Sequence, residues 1–150
     1  MPLAPLTLAA LALASAAAAS PGYRIETVAG SDLLGDGGPA LKAQLSRAQG
    51  IAIDRQGNIY IADTENHRIR RVAPDGRIAT IAGTGRRGMG GDGGPATRAQ
   101  FDLPYGLALD GAGNLYIADL GNHRVRRVAP GGEVSTVAGT GAKGSRGDGG

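Results

Sequence analysis

Two histidines, His67 and His123, and the acids beside them are the side chains best suited to proton transfer or metal binding. Each closes a short run, Asp63-Thr64-Glu65-Asn66-His67 and Asp119-Leu120-Gly121-Asn122-His123. A zinc centre needs a third and fourth protein ligand or a water, and the chain has no third His and no Cys. The lack of Cys also excludes a disulfide framework and a thiol nucleophile. Asp36, Asp92 and Asp148 each sit in Gly-Asp-Gly-Gly. One carboxylate there cannot supply the roughly six to eight oxygens of a calcium site, so an Asx-turn is expected. Gly83-Thr84-Gly85-Arg86-Arg87-Gly88 and Gly139-Thr140-Gly141-Ala142-Lys143-Gly144 spell the glycine spacing of a dinucleotide loop. More glycine follows each of them rather than the helix whose N-terminus would hold a pyrophosphate, which argues against that chemistry. Arg146-Gly147-Asp148 spells an adhesion tripeptide, and Ser20, Ser31, Ser46, Ser135 and Ser145 lie in no nucleophile elbow.

All but the serines and Arg146, which stands where the other copies have Gly90 and Leu34, share one property: they recur with the chain itself. Gly35-Asp36-Gly37-Gly38-Pro39-Ala40 returns 56 residues later as Gly91 to Ala96 and begins again at Gly147. The same offset carries Asn58–Pro74 onto Asn114–Pro130. Such a period marks a repeat architecture, so a motif must first be read as part of the repeat. Asn66-His67 and Asn122-His123 obey the period and read as turn and strand-start structure. Asp63 and Asp119 end the preceding strands and are expected to accept hydrogen bonds from those turns. No acidic, Asn or His residue near a strand start is expected to break the repeat. The expected catalytic set, metal set and cofactor set are all empty.

Within one repeat the apolar runs read as four strands. They are Gly50–Asp54, Ile59–Ala62, His67–Val72 and Arg77–Ala82, separated by turns rich in Asp, Asn, Gly and Pro. The second copy runs through Gly106–Asp110, Leu115–Ala118, His123–Val128 and Glu133–Ala138. The first two runs are apolar on both faces, which predicts burial on both faces, as between the blades of a propeller. In the third run Ile69 and Val72 are three apart around Arg70-Arg71. That spacing predicts a bulge or a strong twist near Arg70 and Arg126, with the arginines left in water. Pro95-Ala96-Thr97-Arg98 predicts a short helical turn, anchored on the core by Phe101, with Leu45 as its counterpart.

These residues resemble the NHL repeat, named for an Asn-His-Leu-like triplet that is Asn66-His67-Arg68 and Asn122-His123-Arg124 here. The resemblance implies an all-β fold, a propeller of four-stranded antiparallel blades, six in the family. On it the chain divides into a signal peptide (1–19), an N-terminal orphan outer strand (20–34), an inter-blade insert (35–49) and a first repeat (50–82). A second insert (83–105), a second repeat (106–138) and the start of a third insert (139–150) follow. The expectation is an incomplete propeller of two blades plus one orphan strand, with a three-copy assembly as the alternative.

Residues 1–19 carry no charged side chain and end Ala17-Ala18-Ala19, the pattern of a cleavable export leader. The expected location is therefore periplasmic or extracellular, with no membrane span after cleavage. A net charge of +3 is too small to diagnose nucleic-acid binding, and five aromatics give few stacking platforms. The resemblance implies a binding scaffold, with a protein or carbohydrate ligand. Contact is expected at the variable insert tips Arg86, Arg87, Met89, Lys143 and Arg146. The alternatives are a metal-dependent propeller enzyme of lactonase or lyase type, and the extracellular sensor of a larger receptor.

Overall fold

The computed structural model describes residues 35–145 and 147. The expected leader (1–19), the expected orphan strand and Arg146 lie outside the described residues. Two four-stranded antiparallel meanders form the fold: β1 (Ala48–Ile53), β2 (Ile59–Asp63), β3 (Arg68–Val72) and β4 (Ile78–Ala82), then β5 (Pro104–Leu109), β6 (Leu115–Asp119), β7 (Arg124–Val128) and β8 (Val134–Ala138). Each sheet keeps its strands in sequence order. No helix among the described residues is long and apolar enough to cross a membrane.

Short 3₁₀ turns punctuate the strands: η1 (Ala40–Lys42), η2 (Thr64–Asn66), η3 (Ala96–Arg98) and η4 (Leu120–Asn122). Pro39 and Pro95 precede η1 and η3 as extended N-caps rather than as first helical residues. The predicted turn after Pro95 is thus a single 3₁₀ turn. Phe101 behind it is fully buried, while Leu45 is half-buried against the core of the first blade.

The segment before each blade hydrogen-bonds to the blade that follows it. Gly37 N–H donates to the Ile78 carbonyl and Ile78 N–H to the Gly38 carbonyl, and Gly93, Gly94 and Val134 repeat the pattern. Extended backbone from Gly37 or Gly93 therefore lies along the outer strand of its own blade.

β1 and β5 pack side by side, so the first strand of each blade is the innermost. One hydrophobic core lies between the blades and takes Ala62, Ile69 and Ala82 from the first and Phe101, Leu115, Ile117 and Val128 from the second. A smaller core lies on the other side of blade 1, around Ile61, Val72 and Ile78.

This arrangement corrects the expectation for the third strand. Ile69 and Val72 need not share a face, because both faces of the sheet are core: Ile69 joins the inter-blade core and Val72 the smaller one. The pairing of β3 with β2 is regular, and a register shift at Ile69/Arg70 does occur against β4, as at Val125/Arg126 against β8. Arg70 and Arg126 are not in water. Both side chains are fully buried, because each guanidinium is held by two carboxylates.

Candidate functional site

The acids and bases singled out by sequence converge at the edge where β2 and β6 end. Asp63 and Asp119 close those strands and are fully buried. Asp63 Oδ1 accepts the Ser46 N–H at 2.7 Å, and its two oxygens accept Asn66 Nδ2 at 3.0 and 2.9 Å. Asp119 repeats this, accepting the Asp102 N–H at 2.8 Å and Asn122 Nδ2 at 2.8 Å. Burial pushes the Asp119 carboxyl up, against the opposing pull of Asn122, the Asp102 amide and Arg126.

Behind these acids stand the buried arginines. Arg70 Nη1 lies 3.2 Å from Asp63 Oδ2 and its Nη2 2.7 Å from Asp36 Oδ1. Arg126 reaches Asp119 Oδ2 at 3.4 Å and Asp92 Oδ1 at 2.7 Å, with its guanidinium 5.2 Å from the centre of the Phe101 ring. The second oxygen of each outer acid accepts a hydroxyl, Thr80 to Asp36 and Thr136 to Asp92, both at 2.6 Å. Burial opposes ionisation of Asp92, but Thr136 and Arg126 outweigh it and hold the carboxyl below its usual range. The Asp of each Gly-Asp-Gly-Gly is thus an arginine anchor, which replaces both the calcium and the Asx-turn readings for Asp36 and Asp92. Asp148 lies outside the described residues.

The histidines follow η2 and η4 with a left-handed backbone, φ 51° at His67 and 51° at His123. Arg68 and Arg124 begin the next strands and donate to the Thr84 and Thr140 carbonyls at 3.2 and 3.3 Å. His67 Nδ1 accepts the Leu103 N–H of the second blade at 3.1 Å, which places the neutral ring's proton on Nε2. The imidazole thereby stitches the two blades together. His123 is exposed on an open cleft of about 910 Å³, which Lys143 also lines.

Sequence reasoning missed two residues near the starts of the blades, of which Asp102 lies at the seam between them. Asp102, two residues before β5, stands where the first repeat has Ser46, and Glu65 stands where the second has Gly121. Both break the repeat near a strand start, contrary to expectation, and comparing the copies at the 56-residue offset exposes them. The two acids occupy one region of the blade: a Cβ on Gly121 would collide with the Asp102 carboxylate. Each has an arginine. Arg87 Nε donates to Asp102 Oδ2 at 2.8 Å, and Arg47 Nη1 lies 3.4 Å from Glu65 Oε1. The Ser46 hydroxyl and Arg47 hold the Glu65 carboxyl below its usual range. Asp102 Oδ1 is buried 4.0 Å from His67 Nδ1.

Of the expected contact residues, Arg86, Arg87 and Met89 share one exposed loop between β4 and η3. Arg87 is tied to Asp102 yet keeps 74% of its side chain in solvent. Lys143 is exposed in the equivalent loop one blade on, so the structure does not bring it into contact with the other three. Among the described residues no three His, Asp or Glu side chains converge as a metal site.

The Teneurin NHL domain model matches residues 14–88, and the NHL repeat model matches residues 101–128. Human teneurin-4 is 36% identical over 100 residues, covering 58% of this chain and 4% of teneurin-4. The Arabidopsis thaliana chloroplastic protein suppressor of quenching 1 is 34% identical over 92 residues, covering 61% of this chain and 8% of its own length. The chain thus spans less than a tenth of these relatives. Among solved structures, an auxiliary nutrient binding protein from Bacteroides thetaiotaomicron superposes with a TM-score of 0.55 at 25% identity, covering 73% of this chain and 28% of that one. Its counterpart from Bacteroides ovatus gives a TM-score of 0.54 at 27% identity, covering 72% and 27%. The teneurin-type model spans half of the sequence, the NHL repeat model falls on the second blade, and the Asn-His turns sit where both blades begin their third strands: the chain belongs to the NHL-repeat family of β-propellers.

Proposed function

We propose that this chain is an exported propeller module that binds a protein or carbohydrate ligand through the loops between its blades and catalyses no reaction. One observation carries the proposal. The buried acids and arginines are consumed in the same structural networks in both blades, while Arg86, Arg87 and Met89 stand exposed in an inter-blade loop and differ from one copy to the next. Arg86, Arg87 and Met89 become Ala142, Lys143 and Ser145 in the second copy. Variation on a fixed scaffold is how loop faces acquire specificity.

The test is a screen of the purified chain against arrays of extracellular proteins and glycans. Arg86→Glu combined with Met89→Ser should abolish the strongest signal and leave the melting temperature within about 2 °C, since neither side chain is buried. Arg87 is left intact because of its bond to Asp102. Retention of every signal by this variant would remove the loop-face reading.

A second reading, a metal-dependent enzyme of lactonase or lyase type, is favoured by Asp102 and Glu65, the acids that depart from the repeat. It requires stoichiometric divalent metal in the purified protein and loss of that metal, with the activity, in Asp102→Asn.

A further inference from the structure

One ring links the two described blades across their seam. His67 Nδ1 accepts the Leu103 N–H at 3.1 Å, and Asp102, the residue before Leu103, holds Oδ1 4.0 Å from the same nitrogen. That oxygen is buried and has no hydrogen-bond partner among the described residues. The Asp102 side chain is 6% exposed and that of His67 17%. One short turn of blade 2 therefore offers the ring a donor and an acceptor, and Nδ1 can use only one of them at a time. We propose that protonation of His67 switches the seam: the neutral ring accepts from Leu103, and the imidazolium releases that amide and donates from Nδ1 to Asp102 Oδ1.

The two ring states have opposite needs. A neutral imidazole keeps one acceptor nitrogen, whereas both nitrogens of an imidazolium are donors. A proton on Nδ1 would point at the Leu103 N–H, so that bond ends when the ring is charged. A buried carboxylate oxygen without a partner carries a penalty of its own. The imidazolium removes it with a charge-assisted bond, which is stronger than the neutral bond given up. The approach needed is small, from 4.0 Å to hydrogen-bond range. Leu103 is 36% exposed, so its released amide can turn to solvent.

The repeat explains the turn but not the acid. Arg47, at the position of Leu103 in the first copy, has φ 53° against 51° for Leu103, so the left-handed turn belongs to every blade described. The carboxylate does not. Ser46 stands at the position of Asp102 and spends its hydroxyl on Glu65. A blade therefore forms without an acid at this point, and the second copy carries one where it meets the ring of His67.

The surrounding charges carry the switch outward. Among the described residues Asp102 is the one acid within 4.0 Å of the ring. On the ring's own blade, Glu65 is engaged by Ser46 and Arg47, and Arg68 by the Thr84 carbonyl. From the loop between β4 and η3, Arg87 donates its Nε–H to Asp102 Oδ2 at 2.8 Å. Once His67 is charged, it and Arg87 share one carboxylate and repel each other across it. The grip on Arg87 weakens, and the change reaches the loop that also carries Arg86 and Met89. This goes beyond the ligand-binding role and holds whatever the ligand is.

The test is an NMR titration of the 150-residue chain from about pH 8 to about pH 5, where histidines change charge. His123→Gln tells the two ring signals apart. The Leu103 amide should move upfield as its hydrogen bond is lost, and the Arg87 Nε–H signal should shift, both with the midpoint of the His67 ring. In His67→Gln the side-chain carbonyl still accepts from Leu103 but takes no proton, so both signals should stay fixed over that range. In Asp102→Asn the Arg87 signal should no longer follow His67. A Leu103 amide or an Arg87 signal that stays still while His67 titrates overturns the proposal. So does a shift of either that persists in His67→Gln, or an Arg87 signal that follows His67 in Asp102→Asn as it does in the unaltered chain.

Discussion

Arg126 is a full charge with no solvent exposure, and it is stable there because Asp119 and Asp92 flank it and Phe101 lies under it. Removing Arg126 leaves the fully buried Asp119 without its counter-charge, which costs far more than the set contributes. Arg126→Met should therefore lower unfolding stability by about 3–5 kcal/mol, read from denaturant midpoints. Adding Asp119→Asn should recover part of that loss, because no unpaired charge then remains at the centre. If the double variant is as unstable as the sum of its parts, the network reading fails. In the sequence, Arg70-Arg71 and Arg126-Arg127 look like two matching exposed pairs. Nothing local distinguishes the buried member, since one acid of each pair, Asp36 or Asp92, lies 34 residues away. Asp102 and Glu65 were hidden differently: they were visible as departures from the repeat, but the contacts that give them meaning, Asp102 beside His67 and Glu65 with Ser46 and Arg47, are tertiary.

The strands were legible because their apolar runs and turn residues agree. Asp54 accepts from the Asn58 amide at 2.8 Å and Asp110 from the Asn114 amide at 2.8 Å, which explains why Asp and Asn bracket both hairpins. Burial resists the ionised form at Asp54, yet the Asn58 bonds still lower its carboxyl, and the Asn114 bonds lower that of Asp110. The third strand was legible only in part: a register shift does occur at Arg70, against β4, but the faces were misassigned because both are core. Packing of one inner strand on the next depends on glycine. Gly50→Ala would drive a Cβ into the Tyr105 carbonyl and should cost about 1–3 kcal/mol in chemical denaturation. Gly131→Ala, with nothing near its Cβ, is the control and should leave the midpoint unchanged. Equal effects of the two substitutions would mean that β1 and β5 do not pack as described.

At the scale of the whole molecule the blade is the unit, and each blade completes its core with its neighbour's face. Repeat proteins draw stability from such nearest-neighbour contacts. The proposed export belongs at this scale too, since it sets where the loop face meets its ligand. It predicts a mature chain beginning at Ser20, recovered outside the cytoplasm and identified by N-terminal mass spectrometry; intact Met1 in a cytoplasmic fraction would overturn it. The sequence by itself determined the period, the strands, the turns and the family, because these depend on residues close along the chain and on comparison of one copy with the other. The tertiary structure alone decided that Arg70 and Arg126 are buried, that His67 holds two blades together, and that Asp102 faces it across the seam. Those outcomes rest on contacts between residues 34 to 36 apart, whose energies depend on burial and on geometry that no single stretch of sequence carries.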